Sequence, residues 1–374
     1  MLERILYGSI EKYLDRYNVV IVIGPRQVGK TTLVKEYLSK SALRSKYVSG
    51  DDIRIVEIFS SRNLDKIKEL ISGYDLIVID EAQRIKDIGV SIKLAVDNLE
   101  KIKFILTGSS SFELMGEIGE PLLGRKKTLN LFPFSTKEVN SYLNNFEIKE
   151  KLNDFLVFGL YPRVVLCNDK KDKIEIINEI VNSYLLKDVF QFEGIKKSNV
   201  ILKMLRLLVF QIGFEVSLNE IANNCDVDVK TVKRYIDLLE KNFVLYELGA
   251  FAKNQRKEIT TKKKYYFYDN GVINSLISNF NDLELREDSG RLWENFVFME
   301  RLKKNSYNEE YVNSYFWRVR GGKEIDLVEE KDGKVNGYEF KFTETKIKKI
   351  KDWEETYKSQ VKIINKDNFL SFVT

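Results

Sequence analysis

The chain has 374 residues, 44% of them hydrophobic and 31% charged, which is enough apolar side chain for two or three cored domains and too much for a disordered chain. Its 61 Lys and Arg stand against 56 Asp and Glu, so the net charge of +5 gives no overall pull on a polyanion, and any nucleic-acid contact has to come from local patches. Histidine is absent, which excludes Ser-His-Asp triads, Cys-His dyads and His-ligated zinc and leaves carboxylates, lysine, hydroxyls and a hard cation to carry chemistry.

Cys167 and Cys225 lie far apart and form no CxxC unit, so they read as reduced thiols of a cytoplasmic protein. The opening MLERILYGSIEKYLDRY is amphipathic and charged, and no apolar run reaches bilayer length. Neither a signal peptide nor a transmembrane helix is expected, and no membrane partner.

From Val19 the chain runs VVIVI, then the turn GPRQVG, then KTTLVKEYL with helical spacing, which predicts strand, loop and helix. Two more short apolar strands follow, Leu76 to Ile79 ending at Asp80-Glu81 and Phe104 to Leu106 ending at Thr107-Gly108-Ser109. Helical stretches at Ile67 to Ile71 and Ile88 to Leu99 separate them, and strands alternating with helices predict a parallel α/β sheet whose polar strand ends converge.

After Pro133 helical periodicity takes over to about Phe192, predicting a helical lid. A long apolar helix then runs from Ser198 to Phe214, Ser217 and Glu220 form a capping-box spacing, and Asp228 is placed to cap VKTVKRYIDLLEKN. Two β-rich stretches, Val244 to Phe251 and Lys264 to Tyr268, flank the basic segment AKNQRKEITTKK, and three helices with a two-stranded wing make a winged helix. The polar stretch from Asn279 to Ser289 reads as a linker to a last unit of α, three meandering strands, α and β.

The segment Gly24-Pro25-Arg26-Gln27-Val28-Gly29-Lys30-Thr31 fits GxxxxGK[ST] between a strand and a helix, the context this phosphate loop requires. Backbone N–H groups from Gly24 to Thr32 cradle phosphate oxygens, Lys30 reaches the β- and γ-phosphates, and the Thr31 hydroxyl ligates Mg2+. Asp80, at the end of a buried strand, is placed to hold the same Mg2+, and Glu81 to polarise the attacking water. Ser109, with Thr107, ends the next strand where a hydroxyl meets the γ-phosphate or the water; the competing reading is a simple polar turn.

Lys230, Lys233 and Arg234 on the helix after Asp228, with Lys253, Arg256, Lys257, Lys262, Lys263 and Lys264 in the wing, predict a surface for DNA phosphates. The alternative is a solvated basic face on a protein-binding module. In the last unit Asp326 and Glu339-Phe340-Lys341 fall on successive strands, with Glu339 and Lys341 on one face, and this order resembles the PD-(D/E)XK nucleases. The resemblance implies Mg2+ between Asp326 and Glu339, Lys341 activating water, and Glu294 as the acidic residue that some members add from a helix. Whether such a domain cleaves DNA or only binds it stays open at this point.

GPRQVGKTTL, LIVIDEAQRI, FILTGSSS and GRKKTLNLFPFSTKEV together resemble the archaeal-type ATPases of the AAA+ superfamily, relatives of the signal-transducing STAND ATPases that often end in a restriction-like domain. The resemblance implies that Arg125, after Gly124, is a finger or sensor for the γ-phosphate, in cis or in trans; the competing reading is a surface arginine of the run Arg125-Lys126-Lys127. An arginine acting in trans would require a homo-oligomer. Gly159-Leu160-Tyr161-Pro162-Arg163 resembles the family's Gly-x-Tyr-Pro segment, with Arg163 either a second sensor or part of a structural turn.

The expected fold is therefore α/β: a P-loop NTPase parallel sheet over residues 1–135, a helical lid over 136–195, a winged helix over 196–278 and a restriction-endonuclease-like domain over 285–374. The expected function is hydrolysis of ATP with Mg2+, coupled to DNA through the last two domains. The rival is a nucleotide-dependent switch acting on a protein partner, with an inactive nuclease-like domain.

Overall fold

The computed structural model describes residues 2–99, 101–109, 121–185, 198–251, 263–318, 323–343 and 350–374. It divides into two compact units, Met1–Phe132 and Pro133–Thr374.

The first unit is built on five parallel strands, β1 (Val19–Ile23), β2 (Ser45–Ser49), β3 (Leu76–Asp80), β4 (Lys103–Gly108) and β5 (Lys126–Asn130), in the order β2-β3-β4-β1-β5. The three strands legible as apolar runs are the three central ones, and every residue of β1 and β3 is buried. Strands covered on both faces read as continuous hydrophobic runs. The two edge strands, SKYVS and KKTLN, each bury a single residue and carry no such signal. Helix Lys30–Lys40 joins β1 to β2, and Leu64–Ile71 and Ile88–Asn98 precede β3 and β4. Side chains cap two of the shorter helices, Asp52 at Ile53–Ser60 and Asn63 at Leu64–Ile71. Because all strands are parallel, the polar endings of β1, β3 and β4 lie at one edge of the sheet.

The second unit opens with short helices, Thr136–Asn140, Asn145–Glu150, Leu152–Phe158, Pro162–Val165 and Lys170–Glu179. Ser135 with Glu138 and Asn144 with Glu147 form reciprocal capping boxes on the first two. The lid expected to run to residue 195 ends beyond the described residues, which break off at 185. Helices Ser198–Phe210, Leu218–Cys225 and Val229–Lys241 follow, the last two capped by Ser217 and Asp228 as their spacing predicts.

Six strands form the sheet of this unit: β6 (Leu245–Ala250), β7 (Lys264–Phe267), β8 (Asn313–Arg318), β9 (Glu324–Lys331), β10 (Lys334–Phe340) and β11 (Val361–Ile364), in the order β11-β10-β9-β8-β6-β7. The β6-β7 hairpin is thus continuous with the C-terminal strands, since Gly249 pairs with Tyr315 and Ala250 with Phe316 in parallel. Phe251 continues this seam, its N–H donating to the Phe316 carbonyl at 2.7 Å and its ring packing on the core of Trp317, Ile325, Val328, Ile350, Trp353 and Val361. The stretch read as a linker is organised by Arg286, buried, which binds Asp288 through Nε and Nη2 and the Asn279 carbonyl through Nη1 at 2.7 Å. A short polar segment can look like a linker when one buried arginine satisfies its carbonyls.

The 19-residue helix Ser289–Tyr307 crosses this unit. On it, Lys303 and Glu300 form a buried ion pair at 2.7 Å; the Lys303 ammonium also donates to the Phe134 carbonyl, and Glu300 accepts the Thr136 N–H. Among the described residues no helix is long and apolar enough to cross a membrane.

Candidate nucleotide site and acidic cluster

The loop after β1 closes tightly because two glycines permit it. A Cβ on Gly24 would lie 2.0 Å from the Leu131 carbonyl oxygen, and Gly29, with φ of 96°, is the left-handed residue from which helix Lys30–Lys40 starts. The Val28 carbonyl accepts from the Arg4 guanidinium at 2.8 Å, and the same buried guanidinium reaches the Phe132 carbonyl at 2.6 Å. Lys30 is buried and folds back over the loop, its ammonium donating to the Gly24 and Pro25 carbonyls at 2.7 and 2.9 Å. Pro25 is buried, Arg26 and Gln27 are half-buried, and Thr32 is exposed on the first helical turn.

Asp80 ends β3 beside this loop and is almost fully buried. Three hydroxyls converge on its carboxylate: Thr31 at 2.8 Å and Tyr47 at 2.6 Å on one oxygen, and Thr107 on the other. Burial pushes the Asp80 pKa up, but the Thr107, Tyr47 and Thr31 hydroxyls outweigh it and hold the carboxyl below its ordinary value. Asp80 is therefore an anion at neutral pH. Glu81 is next in the chain, with left-handed φ of 51°, and accepts from the Gln83 amide at 2.6 Å. Its own N–H points to the Thr107 hydroxyl at 3.3 Å. Ser109 is buried at the carboxyl end of β4. The structure thus gathers Lys30, Thr31, Asp80, Glu81 and Ser109 at one edge.

Arg125 is not brought there. It precedes β5, whose first residue, Lys126, pairs with Val19, whereas the phosphate loop follows Ile23, paired with Asn130. Five residue steps of about 3.3 Å put it roughly 16 Å away, at the opposite end of the sheet. There its guanidinium binds Asp97 at 2.7 Å. The expectation that Arg125 serves the γ-phosphate in cis is corrected by this parallel register. Arg163, in the second unit, pairs with Glu179 at 3.0 Å.

The residues that resemble a nuclease centre do assemble in the second unit. Asp326 on β9 lies across from Glu339 on β10 by the antiparallel register, and the Lys341 ammonium sits 4.0 Å from Asp326 and 3.8 Å from Glu339. Asp326 also accepts the Phe340 N–H at 2.8 Å. Glu294, from helix Ser289–Tyr307, accepts from the Tyr266 hydroxyl at 2.7 Å, and its pKa is pushed up to about 7 by burial and then by the Asp326 charge. Its carboxylate packs against Gly213, where a Cβ would lie 2.7 Å from an Oε atom.

Sequence reasoning missed the residue at the middle of this cluster. Lys264, read as a wing lysine facing DNA, has no exposed surface; it ion-pairs with Glu324 and lies 3.7 Å from Glu294. Burial works to lower its pKa, but Glu294, Asp326 and Glu324 together raise it above the ordinary lysine value, so it is an ammonium. Lys263, its neighbour, pairs with Glu247 at 3.4 Å. Lys253, Arg256, Lys257 and Lys262 lie outside the described residues. On helix Val229–Lys241, Lys230, Lys233 and Arg234 are exposed.

Comparison with known proteins divides the chain in three. Residues 16–140 match the family described as AAA domain, and residues 149–283 and 289–369 match two families, each described as a domain of unknown function (DUF8612 and DUF4143). An uncharacterized protein of Mycobacterium tuberculosis is 28% identical over 341 residues, 90% of this chain and 73% of its own length. One of Methanocaldococcus jannaschii is 25% identical over 382 residues, 95% of this chain and 82% of its own. Among solved structures, a Walker-type ATPase of Pyrococcus abyssi aligns with a TM-score of 0.49 and 16% identity over 74% of this chain and 96% of its own. The family match falls on the parallel sheet and phosphate loop, so the first unit carries a P-loop domain of the AAA class.

Proposed function

We propose that the chain hydrolyses ATP at the edge formed by Gly24 to Thr32, Asp80 and Glu81. The observation that carries this reading is the 2.8 Å hydrogen bond from the Thr31 hydroxyl to Asp80 beside the loop, which joins the two residues a phosphate-bound Mg2+ requires. The donor set fits such an ion: a hydroxyl and an anionic carboxylate are hard oxygens. Mg2+ bound there neutralises charge on the phosphate oxygens. Loop N–H groups and Lys30 bind the phosphates, Ser109 and Thr107 orient polar groups, and Glu81 takes a proton from the attacking water. Gln83, on the Glu81 carboxylate, holds that base in place. Release of phosphate from Mg-ATP by the purified chain, abolished by Lys30→Ala, tests the reading. Equal turnover in wild type and Lys30→Ala overturns it.

Helices Ser198–Phe210, Leu218–Cys225 and Val229–Lys241 with the β6-β7 hairpin support a winged helix whose exposed Lys230, Lys233 and Arg234 meet nucleic-acid phosphates. The reading of the C-terminal strands as restriction-like rests on their order and on Asp326, Glu339 and Lys341. For the divalent ion that this fold implies, the residues do not fit. Lys264, which the nuclease pattern does not include, adds a buried cation paired with Glu324, and among the described residues no group of three or more acidic or thiol ligands is arranged to hold a metal. This supports the rival reading for that domain, a binding platform whose state follows the nucleotide, over a nuclease. An Arg125 contact to a γ-phosphate would need a second copy of the chain, and its pairing with Asp97 supports a surface role instead.

A further inference from the structure

We propose that the ammonium of Lys264 is a built-in counter-cation for Glu294 and Glu324, beside the Asp326–Glu339 pair where a nuclease-like centre would need a divalent ion, so that this cluster binds neither Mg2+ nor Mn2+. The inference rests on the restriction-like reading of β8 to β11 and is independent of the ATPase reading.

Three observations carry it. Lys264 has no exposed surface, so its ammonium cannot turn out to water when another cation arrives. It lies within ion-pair distance of carboxylates from two separate elements, Glu324 on β9 and Glu294 on helix Ser289–Tyr307, while Arg318 lies 3.8 Å from Glu324. Part of the acceptor capacity a metal would use is taken: Glu294 Oε1 accepts from Tyr266, and Asp326 Oδ2 accepts the Phe340 N–H and faces Lys341. Four carboxylates, with Glu339, stand against the three cations Lys264, Lys341 and Arg318. A divalent ion added beside these ammoniums meets Coulomb repulsion, least screened at the fully buried Lys264.

The source of the lysine gives the arrangement a purpose. Lys264 opens β7, a strand of the hairpin, and its ammonium lies over the Phe316 ring of β8, 5.3 Å from the centroid. A metal would bridge only carboxylates of the C-terminal strands and helix. A lysine from the hairpin ties that hairpin to them, so the cluster becomes the lock of the six-stranded sheet.

The test uses the full chain, free of nucleotide and carrying Asp80→Asn so that the phosphate-loop site takes no metal. Mn2+ alone is the probe, read by loss of the free-ion EPR signal and by melting temperature against EDTA. The lock predicts no Mn2+ binding below millimolar concentration and no melting shift with Lys264 present. Lys264→Met should melt lower in EDTA, gain Mn2+ affinity at least tenfold, and recover part of its melting temperature in Mn2+; adding Asp326→Asn should cancel the gain. Tight Mn2+ binding with Lys264 present that Asp326→Asn abolishes, or Mn2+-dependent DNA cleavage lost in Asp326→Asn, overturns the proposal. So does a folded Lys264→Met variant that gains no Mn2+ affinity. Should Lys264→Met not fold, the EPR measurement with Lys264 intact decides alone. None of these outcomes depends on ATP turnover.

Discussion

The guanidinium of Arg4 is bound to the carbonyl of Val28, 2.8 Å away, so a residue near the start of the chain holds the backbone of the phosphate loop. Its other branch holds Phe132, which ends the same unit. A hydrogen bond from a buried charged donor is worth about 1.5–3 kcal/mol. Arg4→Met should therefore lower the melting temperature and weaken ATP binding about tenfold, with a smaller effect on turnover at saturating ATP. Titration calorimetry with Mg-ATP checks it; unchanged affinity in a folded variant would mean that the loop holds its shape without Arg4.

Lys30 and Glu81 should separate binding from chemistry. Lys30→Ala removes the ammonium that folds over Gly24 and Pro25, and both ATP affinity and turnover should fall. Glu81→Gln keeps the size of the side chain but removes the base, so ATP should stay bound while hydrolysis drops at least about a hundredfold. Normal hydrolysis by Glu81→Gln would assign the base elsewhere.

Much of the first unit was legible because its central strands are built on continuous apolar runs and its loop spacing has one physical use. What was hidden lies where local sequence is ambiguous. The edge strands β2 and β5 are mostly polar and bury one residue each, and with β2 the sequence hid Tyr47, whose hydroxyl donates to Asp80. The run Lys262-Lys263-Lys264 looks uniformly basic, yet in extended chain neighbouring side chains point to opposite faces. Lys263 therefore lies near Glu247 while Lys264 enters the core. Nothing local signals that choice; it depends on β6 pairing with β8, some 65 residues further along.

The exposed basic face of helix Val229–Lys241 predicts a salt-dependent, sequence-tolerant affinity for DNA. Changing Lys230, Lys233 and Arg234 together to Ala should weaken binding to unrelated duplexes alike and flatten the salt dependence, by up to about 0.9 in slope for each phosphate no longer neutralised. Fluorescence anisotropy across a salt series measures this. An unchanged slope would leave the face as a solvated or protein-binding surface.

Asp269 supplies a pH-dependent term in the second unit. It is buried, accepts the Leu160 N–H at 2.7 Å and the Gly271 N–H at 2.8 Å, and its pKa is raised from 3.8 to about 6 by burial, which outweighs those N–H groups and the Lys303 charge. The folded state thus holds this proton more tightly than the unfolded chain does. The sign follows from linkage: the contribution to stability is fully present below about pH 4 and is lost as pH rises through about 6. At about 1.4 kcal/mol per pKa unit, the term is on the order of 3 kcal/mol between those limits. Asp269→Asn keeps an acceptor oxygen for one backbone N–H but cannot ionise, so the stability difference between variant and wild type should shift in favour of the variant as pH rises from 4 to 7. Urea unfolding at a series of pH values measures that difference directly. A difference flat across this range would mean that the Asp269 carboxylate is as well stabilised in the fold as in water, and that its backbone donors, with Lys303, fully offset its burial.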